Sequence, residues 1–428
     1  MNRNEIMVNY ILVNPLKNSG FGISSYIDVI SAYLDEDVFH NVKVHVISNE
    51  DKLERSAFQD YVATYIRKNF SPSDTIVESP ETYASTLKLD GYYIHVRLHT
   101  PIAVVQRINK TPIDEVRFEE ECQVINNADV VSAPSDAIVE ELSNDIQFSK
   151  INKIVYRNPI TQAHNYGAYL KEYDVVFMGR NERLKGVGYL NSILEKLPAH
   201  YNVLIFGQRM NDFDLSTSIQ CKVTLKGALY GENKLAALHK SKCILALSLF
   251  ENCSMVILEA LAMKIPVICW DVAGNAEFIA DGVVSGAALG DVDCINKHIL
   301  NINKADLQQH RFNEICFLIY SECISGLKNI IHQFDETMFE GEEISRHNFR
   351  NYKFSGISLN RKSLPLPDNT YILDTAEDSI STFDFTVFDE TKINNIIVKG
   401  EVGSDLFEYI QKSNFNTREI PNLQRKDV

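Results

Sequence analysis

Several things are scarce or missing in this chain of 428 residues. No apolar stretch approaches the 18 or so residues that would cross a bilayer, so no spanning helix is expected. The opening apolar run, Met7 to Val13, is too short for a secretory signal and no small-residue cleavage site follows it. No C-x-x-C pair occurs among the eight cysteines Cys122, Cys221, Cys243, Cys253, Cys269, Cys294, Cys316 and Cys323, most of which stand in apolar surroundings. That favours reduced, buried thiols in a cytosolic protein over a disulfide or zinc framework. Positive charge is also short: 42 Lys and Arg stand against 57 Asp and Glu, a net charge of −15. Nucleic acid is therefore not an expected partner, because phosphate affinity over a long surface needs clustered cations. A small anionic ligand remains open, since it needs only a few cations and backbone N–H groups.

What is present is 45% hydrophobic and 23% charged, the balance of a folded protein with two or three domains. The chain opens as strand, glycine loop and helix: Met7 to Val13, then Asn14 to Gly22, then apolar residues at Ile23, Tyr26, Ile27, Ile30 and Leu34. Strands are predicted at Val42–Ile47, Tyr92–Val96, Val130–Ala133 and Ile154–Tyr156, with a helix over Asp136–Leu142. Polar sequence from Thr161 to Lys171 marks a boundary. A second series follows, with strands at Val175–Met178, Val203–Phe206, Lys222–Leu225, Ile244–Leu247 and Pro266–Cys269 and helical spacing over Val187–Leu197. Short apolar strands alternating with helices predict parallel sheets covered on both faces. The fold class is α/β: two Rossmann-like domains facing each other across a cleft. Residues 1–165 form the first domain and 172–336 the second, closed by a long helix over Phe312–Phe334. Residues 337–428 form an accessory α+β extension, with strand-like pieces at Tyr371–Leu373, Phe383–Phe388 and Ile396–Lys399 and a helix-like Asp405–Gln411.

Three segments have the residue types for chemistry. Gly20-Phe21-Gly22 could let backbone approach a phosphate, or could be a tight turn alone, since Ser25 breaks the G-x-G-x-x-G pattern. In Gly179-Arg180-Asn181-Glu182-Arg183-Leu184-Lys185-Gly186, two cations five residues apart follow a buried strand. They can converge on a diphosphate, or be surface charges of a solvated loop. In Glu251-Asn252-Cys253-Ser254-Met255-Val256-Ile257-Leu258-Glu259, Ser254 is a candidate cap for a buried helix Met255–Met263. A carboxylate at Glu259 in so apolar a helix needs a partner. That partner is a ligand hydroxyl, a buried Arg or a backbone N–H. Two D-x-D triplets, Asp212-Phe213-Asp214 and Asp291-Val292-Asp293, are read as solvated loop acids, and no His, Asp or Glu cluster has metal-ligand spacing.

The two glutamates with seven residues between them, followed by Ala260-Leu261-Ala262-Met263-Lys264-Ile265-Pro266-Val267-Ile268, resemble the signature of retaining GT-B glycosyltransferases of glycosyltransferase family 4, the glycosyl transferases group 1. Ser19 to Ile23, Arg97-Leu98-His99-Thr100-Pro101, Val131 to Ser135, Val155 to Pro159, Gly179 to Gly186 and Gly274-Asn275-Ala276-Glu277 are similar to other segments of that family in the same order. The resemblance runs from about Val8 to about Phe334. Two departures touch the sugar pocket: Asn252, Cys253 and Ser254 stand where the family often has Gly or Phe, and Lys264-Ile265 where a Gly is usual.

What the resemblance implies is a metal-independent hexosyltransferase moving sugar from a nucleotide-diphosphate sugar to a glycan or lipid-linked glycan, in bacterial surface polysaccharide biosynthesis. No cofactor is implied. The first domain would take the acceptor and the second the donor. Arg180 and Lys185 would neutralise the departing diphosphate, Glu251 would bind the transferred sugar, Glu259 the ribose, and His99 the donor sugar from the first domain. Gly20, Gly22, Ser254 and Met255 would line the phosphates. His95 lies four residues before His99 on the same strand face, and one of the two could be core alone. A cytoplasmic location is expected, with peripheral association at the inner membrane face as a further expectation. Arg97, Arg107, Lys110 and Arg117 could serve a lipid-linked acceptor, but Asp114, Glu115 and Glu119 to Glu121 make the same region an ordinary mixed surface. A sugar-nucleotide epimerase or a catalytically silent partner of an active transferase are the alternative readings.

Overall fold

A computed structural model describes residues 7–17, 22–160, 170–302 and 309–339, and three short strands beyond them. By internal packing the chain divides into Met1–Leu307 with Ile315–Phe339, and Gln308–Glu314 with Glu340–Val428. The larger unit holds two parallel six-stranded sheets. The first is β1 (Val8–Asn14), β2 (Val42–Ser48), β3 (Thr75–Pro80), β4 (Tyr93–Arg97), β5 (Val130–Ala133) and β6 (Lys153–Val155), in the order β2-β1-β3-β4-β5-β6. The second is β7 (Tyr173–Met178), β8 (Asn202–Phe206), β9 (Lys222–Lys226), β10 (Ser241–Ala246), β11 (Val267–Trp270) and β12 (Val284–Ala287), in the order β12-β11-β10-β7-β8-β9.

Strand alternation divides the first sheet's apolar residues between two cores. Tyr10 and Leu12 of β1 face Tyr26, Ile27 and Ile30 of α1 (Gly22–Leu34). Ile11 and Val13 face Phe58, Val62 and Ile66 of α2 (Arg55–Asn69), along with Val104 of α3 (Ile102–Asn109), Ile125 of α4 (Glu115–Asn126) and Ile138 of α5 (Asp136–Glu141). The second sheet does the same, with Phe177, Ile205 and Leu245 against α6 (Leu190–Leu194) and, further on, α10 (Val292–Asn301). Between these come α7 (Gly231–His239), the buried α8 (Met255–Ala262) and α9 (Asn275–Ala280).

The structure departs from the sequence reading in four places. The strands β3 and β12 and the helices α2, α3 and α4 escaped it. The helical spacing over Val187–Leu197 shrinks to one 3-10 turn, Val187–Tyr189, and the short α6; Gly186, at φ +71°, separates them from a further 3-10 turn over Arg183–Lys185. Asp291 is not a bare loop acid: it caps α10 by accepting from the Cys294 N–H at 3.0 Å, while Asp293 pairs with Lys196 at 2.5 Å. The long helix α11 (Gln309–Phe339) does not simply close the second domain. Its residues Cys323, Ile324, Leu327, Ile330, Ile331 and Phe334 pack into the first sheet's core.

All eight cysteines are free thiols. In the C-terminal region, β13 (Thr370–Asp374), β14 (Asn395–Lys399) and β15 (Asn416–Thr417) form a small parallel sheet. The expected strand Phe383–Phe388 and helix Asp405–Gln411 lie outside the described residues. Among the described residues no helix is long and apolar enough to cross a membrane.

Candidate active site

In an open parallel sheet, ligands bind beyond the carboxyl ends of the strands, where neighbouring connections run in opposite directions. In the second sheet that point lies between β7 and β10. Gly179–Gly186 leaves β7 there, and the loop from Leu247 to Ser254 leaves β10. The two loops meet through Lys185, whose Nζ lies 2.5 Å from Glu251 Oε1. Ser248 Oγ donates to the same carboxylate oxygen at 2.6 Å. Arg180 Nη2 lies 2.6 Å from Glu182 Oε1, and burial lowers the Arg180 pKa, with Arg209 adding to this and Glu182 and Glu251 opposing it.

Backbone geometry fixes how closely these loops approach. A Cβ on Gly186 would sit 1.8 Å from the Leu247 carbonyl oxygen, so the Gly179–Gly186 loop can lie on the β10 exit only with glycine there. Gly274, just before α9, donates its N–H to the Glu251 carbonyl at 2.8 Å, and a Cβ there would meet the Asn252 carbonyl at 1.6 Å. Gly274 thus supports the Glu251 loop from beneath.

The helix α8 follows that loop. Ser254 takes the N-cap position, as expected, but its buried side chain makes no capping hydrogen bond. The N–H groups of the first turn have no intrahelical acceptor and stand, with the positive helix end, as anion donors. Cys253 is buried and its thiol is pushed up to about 12 by desolvation, which leaves no thiolate nucleophile in the loop. One turn into α8, Glu259 is 6% exposed. Its Oε1 accepts from Lys234 Nζ of α7 at 2.8 Å, while Oε2 is buried without a partner among the described residues. A buried carboxylate with one oxygen neutralised and one unfilled is suited to accept from a hydroxyl pair.

The first domain contributes from two loops. Gly20 lies outside the described residues. Gly22 opens α1, and a Cβ built on it would stand 3.6 Å from Met255 Cγ, so the N-terminal loop reaches the start of α8. His99 follows β4. Its backbone N–H donates to Glu81 Oε2 at 2.8 Å and its ring meets Tyr26 edge-on at 5.1 Å. Burial and the neighbouring Arg97 push its pKa down to about 3, so the imidazole is neutral and can exchange hydrogen bonds with hydroxyls without adding charge. His95 is the core histidine: fully buried, it lies 3.1 Å from Glu78 and 2.6 Å from Ser132 Oγ. Glu78 also accepts from the hydroxyls of Tyr10 and Tyr26, both at 2.7 Å.

Sequence reasoning missed Ser248, Lys234, Thr100 and Asn158. Lys234 sits 25 residues from the carboxylate it meets, with no motif linking them. Thr100 Oγ1 accepts from Asn252 Nδ2 at 3.2 Å, and Asn158 Nδ2 donates to the Cys253 carbonyl at 3.1 Å, so both touch the Glu251 loop from the first domain. Of the D-x-D acids, Asp212 and Asp214 are exposed. No group of three or more potential metal ligands occurs among the described residues. A pocket of about 530 Å³ beside Asp90, Tyr93 and Asp129 opens at the amino ends of β4 and β5, away from His99.

Residues 172–304 match the model of the family described as Glycosyl transferases group 1. No curated protein sequence matches the chain. Among solved structures, a sucrose-phosphate synthase from Thermosynechococcus elongatus superposes with a TM-score of 0.56 at 13% identity, over 78% of this chain and 100% of that one. The lipopolysaccharide outer core galactosyltransferase WaaB superposes with a TM-score of 0.53 at 16% identity, over 76% of this chain and 99% of that one. TarM superposes with a TM-score of 0.51 at 16% identity, over 65% of this chain, which spans only 58% of TarM. With two doubly wound sheets and the charged loops at the second sheet's switch point, the chain has the GT-B glycosyltransferase fold, and its second domain matches the glycosyl transferases group 1.

Proposed function

We propose that this protein is a retaining glycosyltransferase that moves a hexose from a nucleoside-diphosphate sugar to a glycan or lipid-linked glycan acceptor, without a metal, in bacterial surface polysaccharide assembly. The observation that carries the reading is the Lys185–Glu251 pair where the β7 and β10 connections diverge, with Arg180 on the same β7 loop and Glu259, one oxygen unfilled, in the helix that follows the β10 loop. A nucleoside diphosphate bonded through ribose to Glu259 Oε2 would lay its phosphates toward the first turn of α8 and the two cations. As the sugar–phosphate bond breaks, charge grows on the diphosphate. Arg180, Lys185 and the α8 amides are fixed donors for that charge and need little reorganisation. Lys185 would leave Glu251 for the phosphate, freeing the carboxylate for sugar hydroxyls. His99, neutral, would approach the sugar from the first domain.

The test is a panel of nucleotide sugars screened by thermal shift and for donor hydrolysis, with and without excess EDTA. One donor should raise the melting temperature and be hydrolysed equally in EDTA. A ligand at 100 times its dissociation constant adds about 2.7 kcal/mol. Hydrolysis that EDTA abolishes and Mn²⁺ restores would sink the metal-independent mechanism. Binding without hydrolysis or transfer would mark a silent relative, and inversion at a ring carbon an epimerase.

A further inference from the structure

We propose that Asn158 is a positioning residue that ties the Glu251–Ser254 loop to the end of the first sheet, so that the loop keeps its shape only while the two sheets are closed on each other. Its catalytic consequence rests on the transferase reading; the tie itself does not.

The tie is a buried chain of hydrogen bonds. Arg97, at the end of β4, is 0% exposed, and its Nη2 donates to Asn158 Oδ1 and to the Tyr156 carbonyl, both at 2.9 Å. Its guanidinium lies over the rings of Tyr156, at 4.2 Å, and Tyr26, at 5.3 Å. Asn158 Nδ2 then donates to the Cys253 carbonyl at 3.1 Å. The amide orientation follows from its neighbours: guanidinium only donates and carbonyl only accepts, so Oδ1 must face Arg97 and Nδ2 must face Cys253. Neither Asp nor Leu can make both bonds, and Gln is a methylene too long. Pro159 follows and restricts the backbone of Asn158 to extended conformations, which limits where the amide can point.

Other contacts act in the same direction. Thr100 accepts from Asn252 in the same loop. In the diphosphate loop, Arg183 Nε donates to the Ile108 carbonyl at 2.9 Å, and the Leu184 N–H to Asn109 Oδ1 at 2.8 Å. Both loops of the second sheet's switch point thus take bonds from the first domain. Of these contacts, the Asn158 tie runs through the fully buried Arg97.

The experiment compares full-length wild type with Asn158→Asp. The aspartate keeps an acceptor for Arg97 but sets a carboxylate oxygen against the Cys253 carbonyl. Amide hydrogen exchange over residues 251–258 should rise about tenfold, the weight of one lost hydrogen bond, while β4 stays protected. Turnover of the donor should fall roughly 10- to 100-fold, as for a misplaced catalytic loop, with a much smaller change in KM. Wild-type exchange in that segment would overturn the proposal, and so would raised exchange with unchanged turnover. Raised exchange in a protein whose wild type turns over no donor keeps the tie and removes the transferase reading. If Asn158→Asp does not fold, Asn158→Ser, whose hydroxyl is too short to reach Cys253, is judged by the same two measurements.

Discussion

Lys185 and Glu251 neutralise each other at 2.5 Å, so each charge is held where a ligand of the opposite character can displace the other. On the proposed transferase reading, Lys185→Ala removes a cation whose work would grow as a donor diphosphate departs. Turnover should fall about a hundred- to a thousand-fold, with donor binding less affected. Glu251→Gln should also lower turnover, because positive charge develops at the sugar's anomeric carbon. Glu259→Gln should mainly raise the donor KM, since a ribose contact is the same in ground and transition states. Steady-state kinetics on folded variants separates the three; full activity in Glu251→Gln would remove that residue from the site. A second residue-scale prediction concerns Glu81, which holds the His99 loop. Burial and the nearby Glu121 raise its pKa to about 8. Its folded form therefore binds a proton that the unfolded chain releases near pH 4.3. The stability this provides is complete below that pH and is lost as pH rises to about 8. Glu81→Gln should flatten this decline, so urea midpoints measured from pH 4.5 to pH 9 should fall less than in wild type.

At the scale of elements, the site depends on two loops packed closer than side chains permit. Gly186→Ala would impose a left-handed conformation on alanine, at about 1–3 kcal/mol, and would drive a Cβ to within 1.8 Å of the Leu247 carbonyl. It should lower the melting temperature and push the Gly179–Gly186 loop off β10, and on the proposed reading weaken donor binding. Gly188 is the control: no atom lies within 4 Å of its Cβ position, so Gly188→Ala should leave both measurements near wild type.

At the scale of the whole molecule, α11 begins after the second domain and returns to the first. Six of its residues, from Cys323 to Phe334, lie in the first core. At about 1.5–3 kcal/mol for each large buried side chain, their sum is comparable with the net stability of a domain. A chain ending at residue 308 should therefore lose the first domain, while one ending at Phe339 keeps it. Trp270, the single tryptophan, is buried in the second core and reports on that half alone. The shorter chain should show reduced circular dichroism with native-like tryptophan emission. Unchanged circular dichroism would show that α11 is dispensable.

The alternation of apolar strands and helices was legible in the sequence because each buried parallel strand is a local apolar run, as in Ile11–Val13 or Ile244–Leu245. The glycine loops were legible too, since Gly179 to Gly186 and the two glutamates lie between such elements. β3 was not, because Thr75, Glu78 and Ser79 make half of a strand that is buried throughout. Glu78 is tolerated there only because Tyr10, Tyr26 and His95 surround it from other elements. For the same reason no local pattern could choose between His95 and His99, give Lys234 to Glu259, or send α11 to the first sheet. A side chain's own strand or helix follows from its neighbours in sequence. Its partner follows from which distant residue must satisfy a buried charge or fill a core, and only the folded chain decides that.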